Sequence, residues 1–465
     1  MTWDWKSHYA DRLVPASEAA KAVKSGDRVV FTMCGPLMTP VAMATALAAR
    51  AGELRDVTID ASLTLAGAFG VLSPEAAEAF TVSTTFAYNP LETMALSDRG
   101  PQVDYVPINM GFAGALLGRR HREDMQRRFG GDVCVSVISP PTPSGMVTFG
   151  TNLWNGRSQV RNSTIAIGEV DPSLPVVPGG DNWVPVEAFD YLVEGQPLVL
   201  PDLAGLAFIP EEELDATQAC GYFVSELIND GDTVMLGAGS MPMRVSPWLE
   251  SKNDLGCHTE VICPIDLVQS GQINGSRRNH VPGKVSLTAL IPATEEERDF
   301  VNGNPVFDIR DMGLNNDPRY IAKNDNLVAI NAPLEITLWG EIGAERVGTR
   351  FYHGVGGQLE FVMGALMSDG GRSIHATVSR KLDTRTGEWV SAIVPELRTP
   401  GVTTVPRLLA DIVVTEYGVA ELMGRTERER AAALIRVAHP DYREDLADQA
   451  KHLLGLGRTT FILDD

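Results

Sequence analysis

Residues 255–266, LGCHTEVICPID, place two thiols, an imidazole and a carboxylate within seven positions of one another. Cys257, His258, Glu260 and Cys263 could bind a metal ion, or form a thiol nucleophile with its base, or present one reactive carboxylate from a strand. Each alternative describes a different kind of protein, so the rest of the chain has to separate them.

The first two alternatives are weakened by spacing. A structural zinc site uses paired ligands such as CxxC or HxxxH, and Cys257, His258 and Cys263 supply neither spacing. Neighbours on a strand point to opposite faces, so His258 cannot act as the base for Cys257, although another histidine could. We therefore expect no metal site and two cysteines packed on a strand, with the thiol nucleophile left open as an alternative.

Glu260 is the remaining reactive group. If CHTEVI is one strand, then His258, Glu260 and Ile262 share a face among apolar neighbours. Burying a carboxylate there is costly unless the group is paired or used. The loop Gly237-Ala238-Gly239 comes shortly before it and would let a ligand approach the backbone closely. From these residues alone, a buried salt bridge and catalysis are both open.

A second glycine loop follows at residues 353–361, HGVGGQLEF. Gly354, Gly356 and Gly357 are placed so that several backbone N–H groups can converge. Such a nest stabilises an oxyanion or a carboxylate. A tight turn without any ligand would explain the same glycines.

The elements that must position these loops follow an alternating pattern. Short β-branched runs alternate with helical stretches, which predicts α/β domains with mostly parallel sheets. Strands are predicted at VTIDASL, VCVSVI, STIAIGEV, LVAINAPLEI and DIVVTEY, and helices in PVAMATALAARAGEL and ERERAAALIRVA. The last helix is predicted to begin with a capping box at Thr426 and Glu429 and to end before Pro440.

Two internal similarities indicate a duplication. Residues 25–40, SGDRVVFTMCGPLMTP, resemble residues 230–245, DGDTVMLGAGSMPMRV, and STIAIGEV at 163–170 resembles ADIVVTEY at 410–417. The extended, proline-containing stretch 193–214 suits a connection between domains. We therefore predict two related domains, residues 1–205 and residues 206–465.

Composition narrows the class of protein. The chain has 465 residues, 44% of them hydrophobic and 21% charged, which fits a globular protein of more than one domain. No apolar run approaches the ~20 residues that span a bilayer, and no signal peptide is recognisable, so we expect a cytoplasmic protein without membrane contact. The formal net charge of −21 argues against nucleic acid as a partner. Basic clusters at 118–128 and 275–280 could hold a small anion or be solvated surface.

Four ordered motifs together resemble the acetyl-CoA hydrolase/transferase family. This is a branch of class I coenzyme A transferases that includes 4-hydroxybutyrate and succinyl-CoA:acetate transferases. The motifs are DLGCHTEVI, NNDPRYIAKNDNLVAINAPLEITLWGEIGAERVG, FYHGVGGQLEFVMGA and DIVVTEYGVAELMGRTERERAAALIRVAHPDYRE. The match is collinear over residues 228–445 and looser in the first half, as at SPPTPSGMVTFG.

The resemblance implies two related CoA-transferase-type α/β domains with mostly parallel sheets, an active site at the cleft between them, and a homodimer or higher homo-oligomer. It also implies ping-pong transfer of CoA from an acyl-CoA to a small carboxylate through a covalent glutamyl-CoA thioester. No permanently bound cofactor is expected, since coenzyme A enters as part of the substrate. An acyl-CoA hydrolase using the same site is the alternative. A third hypothesis is a non-catalytic CoA-binding protein that has kept the fold, against which Glu260 and GVGG count.

Roles for individual residues follow from the same resemblance. Glu260 corresponds to the nucleophile, and the N–H of Gly357 to the oxyanion donor, with Gly354 and Gly356 in its loop. Gly237, Ala238 and Gly239 form the loop that closes over the thioester.

The resemblance assigns supporting roles to three further residues. Asn316 and Glu416 correspond to positions near the acyl or carboxylate group. Glu335, in the PLE motif, is expected to support the glycine loop and not to act as the nucleophile.

The chain also departs from the family pattern. Thr142 replaces a usual acidic residue, Ala238 a larger hydrophobic one, and Glu360 a usual Asp. Pro333 stands where a non-proline residue is common, and Trp339 could further shape the acyl pocket. These changes leave the nucleophile and the oxyanion loop in place and put the acyl specificity in doubt.

Overall fold

The computed structural model describes residues 3–32, 39–60, 76–85, 102–112, 129–197, 209–383, 386–455 and 461. The basic cluster at 118–128 and the centre of the stretch predicted as a linker lie outside these ranges. Contacts divide the chain into two compact units, Met1–Asp202 with Ser286–Asp317, and Leu203–Val285 with Pro318–Asp465. The predicted domain limits at residues 205 and 206 stay a prediction.

The α-helices and strands that lie wholly within the described residues up to 197 are as follows. The helices are α1 (Trp5–His8), α2 (Ala16–Ala19), α3 (Val41–Ala48) and α4 (Gly156–Asn162). The strands are β1 (Arg28–Phe31), β2 (Val57–Asp60), β3 (Phe80–Thr84), β4 (Val103–Tyr105), β5 (Val133–Ile138), β6 (Met146–Thr148), β7 (Ile165–Val170), β8 (Trp183–Pro185) and β9 (Tyr191–Glu194).

Residues 209–317 contain short elements separated by loops. They are α5 (Leu214–Glu226), β10 (Thr233–Leu236), α6 (Ser240–Met243), β11 (Gly256–His258), α7 (Ile265–Gln269), β12 (Val285–Leu287), α8 (Glu295–Val301), β13 (Phe307–Ile309) and α9 (Met312–Asn315).

The described residues after 317 complete the second unit. Its helices are α10 (Pro318–Ile321), α11 (Gln358–Met367), α12 (Glu427–Val437) and α13 (Pro440–Leu453). Its strands are β14 (Leu327–Asn331), β15 (Glu335–Thr337), β16 (Ile342–Gly343), β17 (Arg346–Val347), β18 (Arg350–Phe351), β19 (Arg372–Ala376), β20 (Arg380–Asp383), β21 (Glu388–Ser391), β22 (Ile393–Val394), β23 (Ile412–Thr415) and β24 (Gly418–Glu421). The predicted capping box is confirmed, with Thr426 and Glu429 bonded reciprocally at the start of α12.

The first unit is built on a parallel sheet with the strand order β4-β3-β2-β1-β5-β7-β9. All six residues of β5, VCVSVI, are buried, as expected for a central strand of a parallel sheet that is covered on both faces. The segment 286–317 belongs to this unit through hydrogen bonds around Trp154. The N–H of Trp154 donates to the carbonyl of Thr288 at 3.0 Å, and the N–H of Met312 donates to the carbonyl of Trp154 at 2.7 Å.

The second unit repeats this arrangement. Its strands lie in the order β11-β10-β14-β19-β23-β24, all parallel except β24, which forms a hairpin with β23. Helix α11 covers one face, where Phe361 and Ala365 pack in one cluster with Met235, Leu327 and Ala329. The α/β prediction with mostly parallel sheets therefore describes both units.

Sheet position tests the two internal similarities. The orders β2-β1-β5-β7-β9 and β11-β10-β14-β19-β23 are the same when the strands of each sheet are ranked along the chain, so β1 and β10 hold equivalent positions, as the first similarity predicts. The second similarity is wrong by one strand, because β7 corresponds to β19 and not to β23. Glu169, near the end of β7, and Glu416, directly after β23, each accept at least one backbone N–H, although the two strands occupy different sheet positions.

Candidate active site

The predicted loops lie at the carboxyl-terminal edge of the second unit's sheet. Parallel strands all end at the same edge. Glu260 follows β11, the loop 237–239 follows β10, Pro333 follows β14 and Glu416 follows β23. Adjacent strands are separated by about 4.8 Å, so these positions spread along one side of the sheet in a known order.

Glu260 lies in a turn and not in a strand. Strand β11 ends at His258, and the Thr259 hydroxyl donates to the carbonyl of Leu236 at 3.1 Å. Ile262 then forms an antiparallel bridge with Leu236, so the chain has reversed direction. The expectation that one strand runs through Ile262 is therefore wrong, because the side chain of Thr259 helps to close a turn. Glu260 sits at this turn with 8% of its surface exposed.

The hydrogen bonds around His258 define its tautomer, and its ring packs in the core. Arg278 Nε donates to Asn324 Oδ1 at 2.6 Å, and Asn324 Nδ2 donates to the carbonyl of Ile321 at 2.8 Å, which fixes the orientation of the amide. The same Nδ2 lies 2.9 Å from His258 Nδ1, which must then accept. The neutral His258 ring therefore carries its proton on Nε2. Its ring also packs edge-on against Phe361, with the centroids 5.8 Å apart.

The basic cluster at 275–280 is in part structural. Arg278 is buried, and its Nη1 donates to the carbonyls of Cys257 at 3.1 Å and Lys284 at 2.7 Å. The guanidinium thus ties β11 to the loop that follows it. Cys257 is buried and Cys263 is partly exposed. Within the described ranges, no group of three or more His, Cys, Asp or Glu side chains is arranged to hold a metal ion.

The loop 237–239 packs closely against the end of β14. The N–H of Gly237 donates to the carbonyl of Ile330 at 2.8 Å. A Cβ at residue 237 would lie 3.0 Å from Asn331 Oδ1 and 3.1 Å from the Ile330 carbonyl, so a side chain there would force its neighbours to move. Ala238 is exposed at the tip of the loop, and α6 begins directly after Gly239.

The second glycine loop leads into the amino terminus of α11. Gly356 has φ +60°, a left-handed conformation that suits glycine, and Gly357 is the N-cap of the helix. The hydroxyl of Ser368, at the other end of α11, accepts from the N–H of Leu327 at the start of β14. The helix therefore runs antiparallel to the strands. Its positive amino terminus and the 354–357 loop lie toward the same sheet edge as Glu260.

Glu416 lies at the far side of this edge. Three strands stand between β11 and β23, which corresponds to four strand spacings or about 19 Å. Its Oε2 accepts from the N–H of Ser379 at 2.8 Å and its Oε1 from the Ser379 hydroxyl at 2.5 Å. Glu416 also lines a cavity of about 350 Å³. The other lining residues are Glu212, Glu213, Asp215, Ala216, Ala219, Arg380, Trp389, Tyr417 and His439.

Glu335, which is buried, and Lys381, which is half-buried, lie near each other beyond the end of β14. Glu335 pairs with the guanidinium of Arg398 and accepts from its N–H at 3.2 Å. Lys381 Nζ donates to the carbonyl of Pro333 at 2.9 Å. Burial lowers the pKa of Lys381 to about 8, against the attraction of nearby carboxylates such as Glu213. Lys381 was not predicted from the sequence, because no motif marks a lysine whose partners are main-chain carbonyls.

Asn316 belongs to the first unit. It is the C-cap of the short helix α9, it is buried, and its Oδ1 accepts from Asn315 Nδ2 at 3.2 Å. Thr142, one of the departures from the family pattern, closes a turn in the same unit. Its hydroxyl accepts from the N–H of Met146 at 3.1 Å, a bond that a carboxylate could also accept.

The chain matches the models of two domains of one protein family. The model of the acetyl-CoA hydrolase/transferase N-terminal domain matches residues 2–203, and that of the C-terminal domain matches residues 294–450. The 4-hydroxybutyrate coenzyme A transferase of Clostridium kluyveri is 32% identical over 452 residues, 96% of this chain and 99% of that protein. The succinyl-CoA:cyclohexane-1-carboxylate CoA transferase of Geobacter metallireducens is 32% identical over 456 residues, covering 97% of both chains.

Solved structures agree with these matches. RipA from Yersinia pestis superimposes with a TM-score of 0.85 at 31% identity, over 97% of this chain and 100% of that one. The predicted resemblance and the α/β fold class are both confirmed. No helix in the described part of the chain is long and apolar enough to cross a membrane.

Proposed function

The chain belongs to the acetyl-CoA hydrolase/transferase family and is a class I CoA-transferase, and we propose that it moves CoA from an acyl-CoA to a small carboxylate through a covalent thioester on Glu260. The position of Glu260 carries this proposal. It is a mostly buried carboxylate in a turn after β11, beside the strand that leads into the 237–239 loop, on the edge toward which the α11 amino terminus points.

The chemistry proceeds in two halves. A carboxylate oxygen of Glu260 attacks the thioester carbonyl carbon, the C–S bond breaks, and an acyl-glutamyl anhydride forms with release of CoA thiolate. The thiolate then attacks the glutamyl carbonyl, which frees the donor carboxylate and leaves glutamyl-CoA. An incoming carboxylate attacks the glutamyl carbonyl of this thioester, the C–S bond breaks, and CoA thiolate leaves as a new anhydride forms. The returning thiolate then attacks the acyl carbonyl and regenerates Glu260.

The two glycine loops are proposed to stabilise the oxyanion and to cover the thioester. Each attack places negative charge on a carbonyl oxygen, and preorganised N–H donors stabilise such an oxyanion. The N–H of Gly357 is the proposed donor, with the dipole of α11 behind it. The loop from Gly237 to Gly239 is proposed to cover the thioester, and contacts to the CoA tail would contribute remote binding energy. Asn316 and Glu416 are proposed to act near the acyl or carboxylate group.

Trapping of the intermediate tests the proposal. The protein is incubated with candidate acyl-CoAs, treated with borohydride and mapped by peptide mass spectrometry. Reduction of glutamyl-CoA should convert Glu260 to the corresponding alcohol, and Glu260→Ala should abolish both labelling and turnover. Glu396→Gln, at an exposed glutamate, should change neither. Labelling of Cys257 or Cys263, or full activity of Glu260→Ala, would contradict the mechanism and return the thiol nucleophile to consideration.

The hydrolase alternative needs a separate measurement. A transferase releases CoA at its full rate only when a carboxylate acceptor is present, because the acceptor resolves the glutamyl-CoA intermediate. CoA release at the full rate without any acceptor would replace the transferase assignment by a hydrolase that uses the same glutamate. Tight binding of CoA without either reaction would favour a non-catalytic CoA-binding protein.

A further inference from the structure

His353 directly precedes the glycine loop and is anchored at its backbone. The N–H groups of Tyr352 and His353 both donate to the carbonyl of Glu345, at 2.8 Å and 3.4 Å. Glu345 is itself buried, and its carboxylate accepts from the Thr404 hydroxyl at 3.0 Å. The position from which the His353 side chain extends is therefore fixed by a buried part of the second unit.

The side chain of His353 holds the first peptide group of the loop. Its Nδ1 lies 2.9 Å from the carbonyl oxygen of Gly354. A carbonyl oxygen can only accept, so Nδ1 must carry the proton. The tautomer is thus opposite to that of His258, whose Nδ1 accepts.

The surroundings keep this imidazole neutral. Burial lowers the pKa of His353 below its usual value, and the nearby charge of Lys381 lowers it further. The bond to Gly354 and the charge of Glu345 act in the opposite direction but do not outweigh the burial. At neutral pH the ring therefore donates from Nδ1 without carrying a charge.

The other end of the loop is fixed by the helix. The carbonyl of Gly357 accepts from the N–H of Phe361 at 3.1 Å, the first hydrogen bond of α11. Only Val355 and Gly356 stand between Gly354 and Gly357, the two residues whose carbonyls are held, and Gly356 has the left-handed conformation. With both ends held, the N–H groups of residues 356 and 357 have a defined direction.

We propose that His353 is a positioning residue of the reaction: its Nδ1–H holds the Gly354 carbonyl so that the N–H of Gly357 points at the oxyanion. This inference rests on the proposed function, because it assumes that the glycine loop stabilises charge on a thioester bonded to Glu260. His353 itself touches no reacting atom in this scheme.

Three variants test the inference in the full-length protein. His353→Leu removes the donor, whereas His353→Asn keeps an N–H donor close to the place of Nδ1. His353→Leu should lower kcat by about 10-fold, which is more than the loss of one neutral hydrogen bond would cause and less than the loss of an oxyanion donor would cause. The KM for acyl-CoA should change by less than about 2-fold. Asn should recover most of kcat. His452→Leu, at an exposed histidine of α13, should match the wild type.

A measurement that needs no turnover separates this inference from the proposed function. In protein labelled with 15N-histidine, the two ring-nitrogen resonances of His353 are identified as the pair that is absent from His353→Asn. At pH 7 these resonances should show the neutral Nδ1–H tautomer. An Nε2–H tautomer, a wild-type kcat for His353→Leu, or a His353→Asn variant as slow as His353→Leu would overturn the positioning role. Failure to label Glu260 in the wild type would overturn the proposed function instead.

Discussion

Glu416 and Ser379 form a two-point contact at the sheet edge, in which one carboxylate accepts both the main-chain N–H and the hydroxyl of the same serine. Glu416 follows β23, and Ser379 connects the neighbouring strand β19 to β20. The contact therefore ties together two segments at the edge where the proposed chemistry takes place.

Glu416 and Ser379 should be energetically coupled. In a double-mutant cycle with Glu416→Ala and Ser379→Ala, we expect a coupling of about 1 kcal/mol in the free energy of unfolding, because the cycle isolates the hydrogen bond from the Ser379 hydroxyl to the carboxylate while the main-chain N–H of residue 379 stays in every variant. Denaturant unfolding of the four proteins measures it. Additive effects, together with a raised KM in Glu416→Gln, would instead indicate that Glu416 contacts the substrate directly.

Asn324 should stabilise the turn that carries Glu260. Asn324→Ala leaves a buried guanidinium N–H and the acceptor nitrogen of His258 without this partner, so we expect a loss of about 2–3 kcal/mol in the free energy of unfolding. Guanidinium unfolding is the measurement. Asn229→Ala, at an exposed asparagine, should stay within about 0.5 kcal/mol of the wild type. Equal losses in the two variants would contradict the network.

Glu169 should make stability depend on pH. Its carboxylate accepts from the N–H groups of Ala42 and Met43, but burial raises its pKa from 4.5 to about 7. The folded protein thus keeps the proton to a higher pH than the unfolded chain does. The free energy of unfolding should therefore fall as the pH rises from about 4.5 to about 7, by roughly 3 kcal/mol at most.

Glu169→Gln isolates this effect, because glutamine cannot ionise. The variant should lose less stability than the wild type between pH 5 and pH 8, as followed by urea unfolding. Glu53→Gln, at an exposed glutamate, should show the wild-type dependence. Parallel curves for Glu169→Gln and the wild type would show that Glu169 ionises normally in the folded protein.

Ala238 should set the size of acyl group that the site accepts. Ala238→Ile restores a larger side chain in the loop that is proposed to cover the thioester. We expect kcat/KM for a branched or cyclic acyl-CoA to fall about 10-fold relative to acetyl-CoA, the scale on which a pocket discriminates small apolar groups. Ala10→Ile, at an exposed position of the first unit, is the control. An unchanged ratio would place the acyl group elsewhere.

Strands could be predicted from the sequence wherever an apolar run coincides with a buried parallel strand. VCVSVI, STIAIGEV and DIVVTEY contain β5, β7 and β23, and the capping box marks the start of α12. LVAINAPLEI proved to be two strands, β14 and β15, because the chain leaves the main sheet after Asn331. Composition does not mark that departure, since apolar residues continue on both sides of it.

The site residues could be predicted from the sequence only where a motif contains them. Glu260 and the glycine loops were found through family motifs, whereas the end of β11 was misplaced because Thr259, Val261 and Ile262 are all typical of strands. His353 and Lys381 carry no signal that sequence alone reveals. Lys381 reaches the carbonyl of Pro333 only when β14 and β20 have folded together, and His353 contacts the carbonyl of the adjacent Gly354 in a conformation of the loop that no sequence pattern marks.

The first unit includes Ser286–Asp317, and this has a consequence for synthesis of the chain. During translation, residues 1–202 leave the ribosome well before the segment that supplies Thr288 and Met312 to Trp154. The amino-terminal unit therefore cannot complete its native contacts as it emerges. It must wait until residue 317 has been made, by which time Leu203–Val285 of the second unit has been made as well.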